Sequence, residues 1–154
     1  MTADRLYFAQ HGIAVSKNDD PERPLSKDGI SQTKAIAKQL RQSGTPVSAI
    51  FHSDKLRAQQ TAEIFSSILN TASISQLEHL SPNSDPALIN HSLSINNALY
   101  IGHLPNLEKI VSSLVTGDIE SSIVKFHNSA VICLEKNGDH YQVDSYLTPK
   151  LFCD

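Results

Sequence analysis

The chain has 154 residues, the length of one domain with one hydrophobic core, and we predict a single domain over residues 1–154. A hydrophobic content of 40% and a charged content of 19% are typical of a globular protein, and no apolar run reaches the length of a membrane span. The formal net charge of −3 argues against a general binder of nucleic acid or of anionic membranes, so any anion site must be local.

The two cysteines, Cys133 and Cys153, have the spacing of neither a disulfide framework nor a metal site. The N-terminus lacks the apolar stretch of a signal peptide. Both observations favour a cytoplasmic protein.

The first predicted element is a strand. Four apolar residues, Leu6 to Ala9, run without a break and indicate a strand buried on both faces. Gln10, His11 and Gly12 follow, and Gly12 permits a turn or the close approach of a ligand. His11 therefore lies at the carboxyl end of a central strand, where open α/β sheets bind their ligands, although a lone histidine there is more often structural.

A polar loop over residues 13–24 comes next, and loops of this length are usually functional or mobile. Arg23 lies in it, held in an extended conformation by the proline that follows, and is either a ligand contact or a surface partner of Glu22. Ser26 is the predicted N-cap of a helix that ends at Gly44.

Val47 to His52 form the second predicted strand, and Ser53 opens the helix after it. Arg57 lies in the first turn of that helix, where a basic side chain and free backbone N–H groups can share an anion. The alternative is a surface ion pair with Asp54 or Glu63.

The next predicted elements repeat this arrangement. A short strand within residues 73–80, a loop and a short helix over residues 87–93 lead to an apolar run that ends at Gly102-His103. Pro105 suits the first turn of the following helix, which Gly117 ends. A second histidine, His103, thus lies at a strand end beside a helix N-terminus.

The last third of the chain differs, because Asn137-Gly138 lies between two strand-like runs and is typical of a hairpin. The predicted fold is therefore a three-layer α/β/α domain, with a mostly parallel central sheet and a C-terminal antiparallel hairpin.

Two histidines and an arginine at equivalent sheet edges suit phosphoryl transfer. A neutral imidazole is a good nucleophile, and the reaction otherwise needs positioning and positive groups around the phosphate oxygens. His11 is the candidate nucleophile, with Arg57 and His103 as phosphate clamps. A metal site is the alternative, but the sequence has no His-x-His, His-x-x-x-His or Cys/His cluster.

The chain resembles the histidine phosphatase (phosphoglycerate mutase-like) superfamily, and within it the SixA-type phosphohistidine phosphatases. The resemblance rests on four segments in the family's order, and it extends over essentially the whole chain. They are Leu6 to Gly12, Arg23 to Gly29, Ser53 to Thr61 with its S-x-x-x-R-A-x-Q-T pattern, and Gly102-His103-Leu104-Pro105.

The resemblance implies that His11 accepts the phosphoryl group, that Arg57 and His103 hold its oxygens, and that Arg23 adds a basic contact. Gln10, Gly12 and Ser53 would line the substrate site. It also implies that no metal or cofactor is needed. The substrate would be a phosphohistidine-bearing protein, such as a signalling phosphotransfer domain, with small phosphate esters as the alternative.

Two positions depart from the family pattern. Gln10 stands where the motif has arginine, and Ile13 stands where a carboxylate is common. Glutamine offers an amide but no charge, so we expect a weaker phosphate clamp and more protonated His11 at neutral pH. A binding module with little turnover is therefore a third hypothesis.

A general acid is harder to assign from the sequence. Glu78 and Asp85 flank a plausible active-site loop, but both can equally be solvated surface residues. An imidazole leaving group titrates near neutrality and needs less acid help than an alcohol. His52, His79 and His127 are further candidates near the site, with a structural role as the more common alternative.

Overall fold

The computed structural model describes residues 2–151, and in that range strands and helices alternate before a closing hairpin. The strands are β1 (Arg5–Gln10), β2 (Ala49–His52), β3 (Ile74–Gln76), β4 (Ala98–Gly102), β5 (Val131–Asn137) and β6 (His140–Leu147). The helices are α1 (Lys27–Gln42), α2 (Leu56–Leu69) and α3 (Asn106–Thr116), with short 3-10 helices at Pro86–Ser92 and Pro149–Leu151.

These strands form one sheet in the order β3-β2-β4-β1-β5-β6. β1 pairs in parallel with β4 and antiparallel with β5, while β2 pairs in parallel with both β3 and β4. The β5–β6 hairpin turns at Asn137-Gly138. The predicted α/β fold, with its mostly parallel sheet and C-terminal antiparallel hairpin, is confirmed.

The side chains of β1 alternate between two apolar cores, one on each face of the sheet. Leu6 and Phe8 pack in the core that α3 covers, and Tyr7 and Ala9 pack in the core that α1 and α2 cover. Both faces of the central strand are therefore buried, which explains its unbroken apolar sequence.

Several helix and strand boundaries differ from those predicted from the sequence. β2 begins at Ala49 rather than Val47, and the segment predicted as a short helix over residues 87–93 is the 3-10 helix Pro86–Ser92. Ser26 caps α1 as predicted, since its side chain accepts from the Gly29 N–H. Helix α2 begins at Leu56, because Ser53 uses its side chain for another contact and does not cap the helix.

Two glycines bring α1 close to the end of β1. A Cβ at Gly12 would lie 2.8 Å from Thr33 Oγ1, and one at Gly29 would lie 2.1 Å from the carbonyl oxygen of Ile13. Gly12 therefore permits close packing against α1, which adds to the turn or ligand approach that the sequence suggested. This packing fixes the position of the residue between β1 and Gly12, which is His11.

Cys133 is buried and free, and Cys153 lies outside the described residues. Within residues 2–151, no helix is both long enough and apolar enough to cross a membrane.

Candidate active site

The backbone fixes the tautomer of His11. Its Nδ1 lies 2.7 Å from the carbonyl oxygen of Gly12, and a carbonyl can only accept, so Nδ1 carries the hydrogen. Nε2 therefore carries the lone pair, which faces Arg57. The His11 carbonyl accepts from Asn128 Nδ2 at 2.9 Å, and the side chain is buried, with 9% of its residue surface exposed.

Arg57 is the basic group nearest to that lone pair. Its Nε donates toward His11 Nε2 at 3.4 Å, a long contact. Thr61 forms hydrogen bonds to the backbone beside both residues. Its Oγ1 accepts from the Gly12 N–H at 2.9 Å and donates to the Arg57 carbonyl at 2.7 Å. The first turn of α2 is thereby tied to the end of β1.

Arg57 has no ion-pair partner among residues 2–151. Glu63 accepts from Gln59 instead, and Asp54 accepts from Ser81. The surface pairing considered for Arg57 in the sequence is therefore wrong, and its guanidinium is available to an anion.

His103 lies against His11, with ring centroids 4.8 Å apart. Its Nε2 lies 2.6 Å from Ser53 Oγ, and both side chains are buried, with 2% and 1% exposure. Ser53 Oγ also accepts from the Lys55 N–H at 3.3 Å, which leaves the hydroxyl hydrogen for His103. Nδ1 of His103 is buried and has no partner in the described part of the chain.

Both histidines are neutral at pH 7. Burial lowers the pKa of His11 to about 4, aided by the charges of Arg57 and Arg23 and opposed by its hydrogen bond to Gly12. Burial, then His11 and then Arg57, lower the pKa of His103 to about 3. His11 is therefore neutral at pH 7 even without an arginine at position 10, because burial is the largest cause of its lowered pKa.

A basic cleft of about 480 Å³ opens beside Arg57. Lys17, Arg23 and Lys55 line it, together with Glu22 and Asp54, and with Pro21, Leu56 and Arg57. The loop over residues 13–26 forms one wall and the start of α2 forms the other. The structure therefore brings Arg23 to the same place as Arg57.

Arg23 differs from its predicted conformation. It has a φ of 50°, in the left-handed region, where an extended conformation was expected from the proline that follows. The turn preceding it explains the difference, because its N–H donates to the Asp20 carbonyl at 3.0 Å and its Nε donates to the Val15 carbonyl at 3.1 Å. The alternative considered for Arg23, a surface pairing with Glu22, is absent among the ion pairs of residues 2–151.

Gln10 and Gly12, which were predicted to line the substrate site, are the chain neighbours of His11. The Gly12 N–H is already taken by Thr61, so Gly12 orients His11. Gln10 is half-buried opposite Gly102 in the β1–β4 pair, and its Oε1 is buried with no partner within residues 2–151.

The remaining sequence candidates have other contacts. The Glu78 side chain is 89% exposed and lies 3.9 Å from His79, and Asp85 caps the 3-10 helix through the Ala87 N–H. His52 Nδ1 contacts the Ser53 carbonyl at 2.8 Å, and the His127 N–H donates to the hydroxyl of Tyr146.

Two residues that contact the site were not predicted from the sequence. Thr61 ends the S-x-x-x-R-A-x-Q-T pattern, but its contacts with Gly12 and Arg57 were not predicted, and Asn128 follows no recognisable motif. A third link is the buried hydroxyl pair of Thr33 and Ser129, 2.7 Å apart, which joins α1 to the segment before β5. In residues 2–151 no group of three or more His, Cys, Asp or Glu side chains could hold a metal ion.

Comparison with known proteins agrees with this geometry. The family model described as the histidine phosphatase superfamily (branch 1) matches residues 6–82, which include His11, Arg23, Ser53 and Arg57. The chain belongs to the histidine phosphatase superfamily. It is therefore a member of a phosphatase family, and His103 lies beyond the matched segment.

Two curated relatives are similar to the chain. An uncharacterised protein of Picosynechococcus sp. is 47% identical over 62 residues, and the match spans 38% of each chain. The phosphohistidine phosphatase SixA of Escherichia coli is 27% identical over 145 residues, covering 88% of each chain.

Among solved structures, the protein histidine phosphatase SixA complexed with tungstate superposes with a TM-score of 0.84 at 24% identity. The superposition covers 96% of this chain and 98% of that one. The histidine phosphatase fold is therefore shared over almost the whole chain.

Proposed function

We propose that this protein is a phosphohistidine phosphatase, which removes the phosphoryl group from a histidine of another protein through a phosphorylated His11. One observation carries the proposal: a neutral, oriented imidazole nucleophile is surrounded by basic and neutral groups, with no carboxylate among its contacts in the described structure. The charges that lower the pKa of His11 are those of Arg57 and Arg23.

In the first step the Nε2 lone pair of His11 attacks phosphorus. A new N–P bond forms as the N–P bond of the substrate breaks. The substrate ring, which has taken a proton from solvent at its other nitrogen, keeps that electron pair and leaves as a neutral imidazole. Arg57 and Arg23 stabilise the charge on the equatorial oxygens, and the hydrogen bond from Nδ1 to Gly12 keeps the ring oriented.

In the second step water attacks the phosphorus of phosphorylated His11. The N–P bond to Nε2 breaks, its electron pair returns to the imidazole, and the proton of the water passes to the released phosphate. The net reaction is hydrolysis of one phosphoramidate bond. The chemistry uses only side chains, so we propose that no metal or cofactor takes part.

The leaving group decides which substrates fit. An imidazole has an ordinary pKa of about 6.5, so it departs without a strong acid, whereas an alkyl alkoxide needs one. Glu78 and Asp85, the carboxylates considered for that task, are an exposed side chain and a helix cap. The site therefore suits phosphohistidine and other activated phosphates better than alkyl esters.

The relatives support the same substrate class. The curated SixA relative is a phosphohistidine phosphatase, and the similarity covers 88% of this chain. We infer a cytoplasmic role in signalling, with a phosphorylated phosphotransfer domain as the partner. Small phosphate esters remain the alternative substrates, and Gln10 is the residue that favours the third hypothesis, a binding module.

The test is phosphate release by the purified protein, without added metal, from a phosphohistidine-bearing protein, p-nitrophenyl phosphate and glycerol phosphate. We expect turnover in that order, and none with His11→Ala. Faster hydrolysis of glycerol phosphate than of phosphohistidine would replace the proposal with a small-ester phosphatase. Binding of phosphohistidine with no turnover of any substrate would establish the binding module.

A further inference from the structure

The basic cleft beside Arg57 has more positive groups than one phosphoryl group needs. It is lined by four basic side chains and two carboxylates, in a chain whose formal net charge is −3. The ion pairs of residues 2–151 include none of the four basic residues, which are Lys17, Arg23, Lys55 and Arg57. Four basic side chains against the two carboxylates, Glu22 and Asp54, leave the cleft with an excess of positive charge.

These four residues divide into an inner and an outer pair. Arg57 and Arg23 lie on the side of the nucleophile, because both charges act on His11. Lys17 and Lys55 are exposed, and neither charge acts on His11, although that of Lys55 acts on its neighbour His103. A phosphoryl group held by the arginines would leave the two lysines free for a second anion.

The wall that carries Lys17 is built by hydrogen bonds within the loop. The Ser16 hydroxyl donates to Asp19 at 3.0 Å, and the Asp19 N–H donates to the Ser16 carbonyl at 3.1 Å. Val15 donates to the Pro24 carbonyl at 2.8 Å, which closes the base of the loop. Lys55 lies on the other wall of the cleft, where it is the N-cap residue of α2. The two lysines therefore lie on two defined walls of the cleft.

We propose that this outer part of the cleft binds an acidic side chain that flanks the phosphohistidine in the partner protein. The inference rests on the proposed function and names the substrate feature that the site selects. The volume, about 480 Å³, is within the range of roughly 300–1,000 Å³ for ligand pockets and exceeds what a phosphoryl group alone requires. Charge complementarity at an exposed cleft of this kind raises specificity and association rate.

The experiment compares two peptides with a non-hydrolysable phosphotriazole in place of phosphohistidine, one flanked by glutamates and one by glutamines. We expect the native protein to bind the acidic peptide about five- to tenfold more tightly, as two exposed ion pairs would provide. The K17A/K55A double variant should lose that preference, as should the native protein in about 1 M salt. The K38A/K150A double variant is the matched control, because both lysines are exposed and lie outside the cleft.

Equal affinity for the two peptides would overturn the inference, as would a preference that survives in the K17A/K55A variant. The inference would also fail if the two lysines were needed for binding inorganic pyrophosphate but not for binding the acidic peptide. Turnover of the matching phosphohistidine peptides is measured in parallel. Selective binding without turnover would overturn the phosphatase proposal alone, and turnover without selectivity would overturn the acidic-flank inference alone.

Discussion

The hydroxyl of Ser53 lies 2.6 Å from Nε2 of His103, and this contact joins the end of β2 to the end of β4. The pairing is short and both residues are buried, so breaking it leaves a buried ring nitrogen without its partner. It fixes the ring of His103 beside His11. We therefore propose that Ser53, predicted from the sequence as a substrate contact, positions His103, the proposed clamp residue.

Ser53→Ala should lower kcat roughly tenfold with little change in KM, because a buried ring nitrogen loses its partner and the ring loses its fixed orientation. Phosphate release from phosphohistidine measures this. Ser67→Ala, at an exposed position of α2, is the matched control and should leave kcat unchanged. An unchanged kcat in Ser53→Ala would show that the contact is structural only.

Arg57→Ala should reduce kcat/KM about a hundredfold or more, since it removes a fixed donor aimed at the reacting nitrogen and phosphoryl oxygens. His103→Ala should have a comparable effect. Arg23→Ala should be milder, because Arg23 lies on a loop and its Nε is engaged by the Val15 carbonyl. Steady-state kinetics on one activated phosphate rank the three variants, and a silent Arg57→Ala would remove the cleft from the mechanism.

His11→Ala should abolish turnover while leaving the fold intact. Incubation of the native protein with a ³²P-labelled phosphohistidine substrate should label His11 transiently, and the label should be stable to alkali and lost in acid. Circular dichroism serves as the check on folding. Retained activity in a folded His11→Ala protein would exclude His11 as the nucleophile.

The protonation of both histidines predicts a simple pH dependence. His11 has a pKa lowered to about 4 and His103 one lowered to about 3, so neither should titrate between pH 8 and pH 5 in an NMR titration. A histidine in the unfolded chain has a pKa of about 6.5. Because the unfolded state binds protons that the folded state does not, stability is fully present above pH 6.5 and falls as the pH drops toward 4.

The size of this effect can be measured by urea unfolding at pH 6.5 and pH 5. Each buried histidine contributes about 2 kcal/mol of lost stability over that interval. A variant with His103→Asn should show a smaller loss, because one of the two groups no longer titrates. A midpoint near 6.5 for His11 in the folded protein would contradict the assigned burial.

Much of the fold and the core of the site could be predicted from the sequence, because a strand buried on both faces and a helix start are local patterns. The apolar run from Leu6 to Ala9 predicted the buried strand, and Ser26 predicted the start of α1. The predictions that were wrong concern features that depend on tertiary contacts. The turn conformation of Arg23 arises from hydrogen bonds to Asp20 and Val15, which a local rule for a residue before proline does not include.

The protonation state of His11 depends on tertiary structure in a related way. The absence of arginine at position 10 is visible in the sequence, but burial is a property of the assembled site and is the largest cause of the shift. The links from Thr61 and Asn128 were likewise invisible, because they join segments 49 and 117 residues apart.

Gln10 offers the sharpest test of what limits this enzyme. Its Oε1 is buried with no partner within residues 2–151, at the level of the sheet where β1 lies opposite Gly102. A buried polar atom without a hydrogen-bond partner destabilises the folded state by about 1–3 kcal/mol. Replacing the Gln10 amide therefore removes this destabilisation, whether or not the new side chain is charged. Because His11 is already neutral, any gain from a cation at position 10 must come from binding phosphate and stabilising charge in transfer.

We therefore expect Gln10→Arg to raise kcat/KM on phosphohistidine and to raise it more on p-nitrophenyl phosphate, without moving the pKa of His11 into the neutral range. Gln10→Met is the matched control, since it removes the amide at similar volume and adds no charge. Equal rates in the arginine and methionine variants would show that charge at position 10 is not limiting. A folded Gln10→Arg protein that binds phosphate no better than the native protein would show that the guanidinium does not reach the substrate, because the half-buried site holds it away from His11.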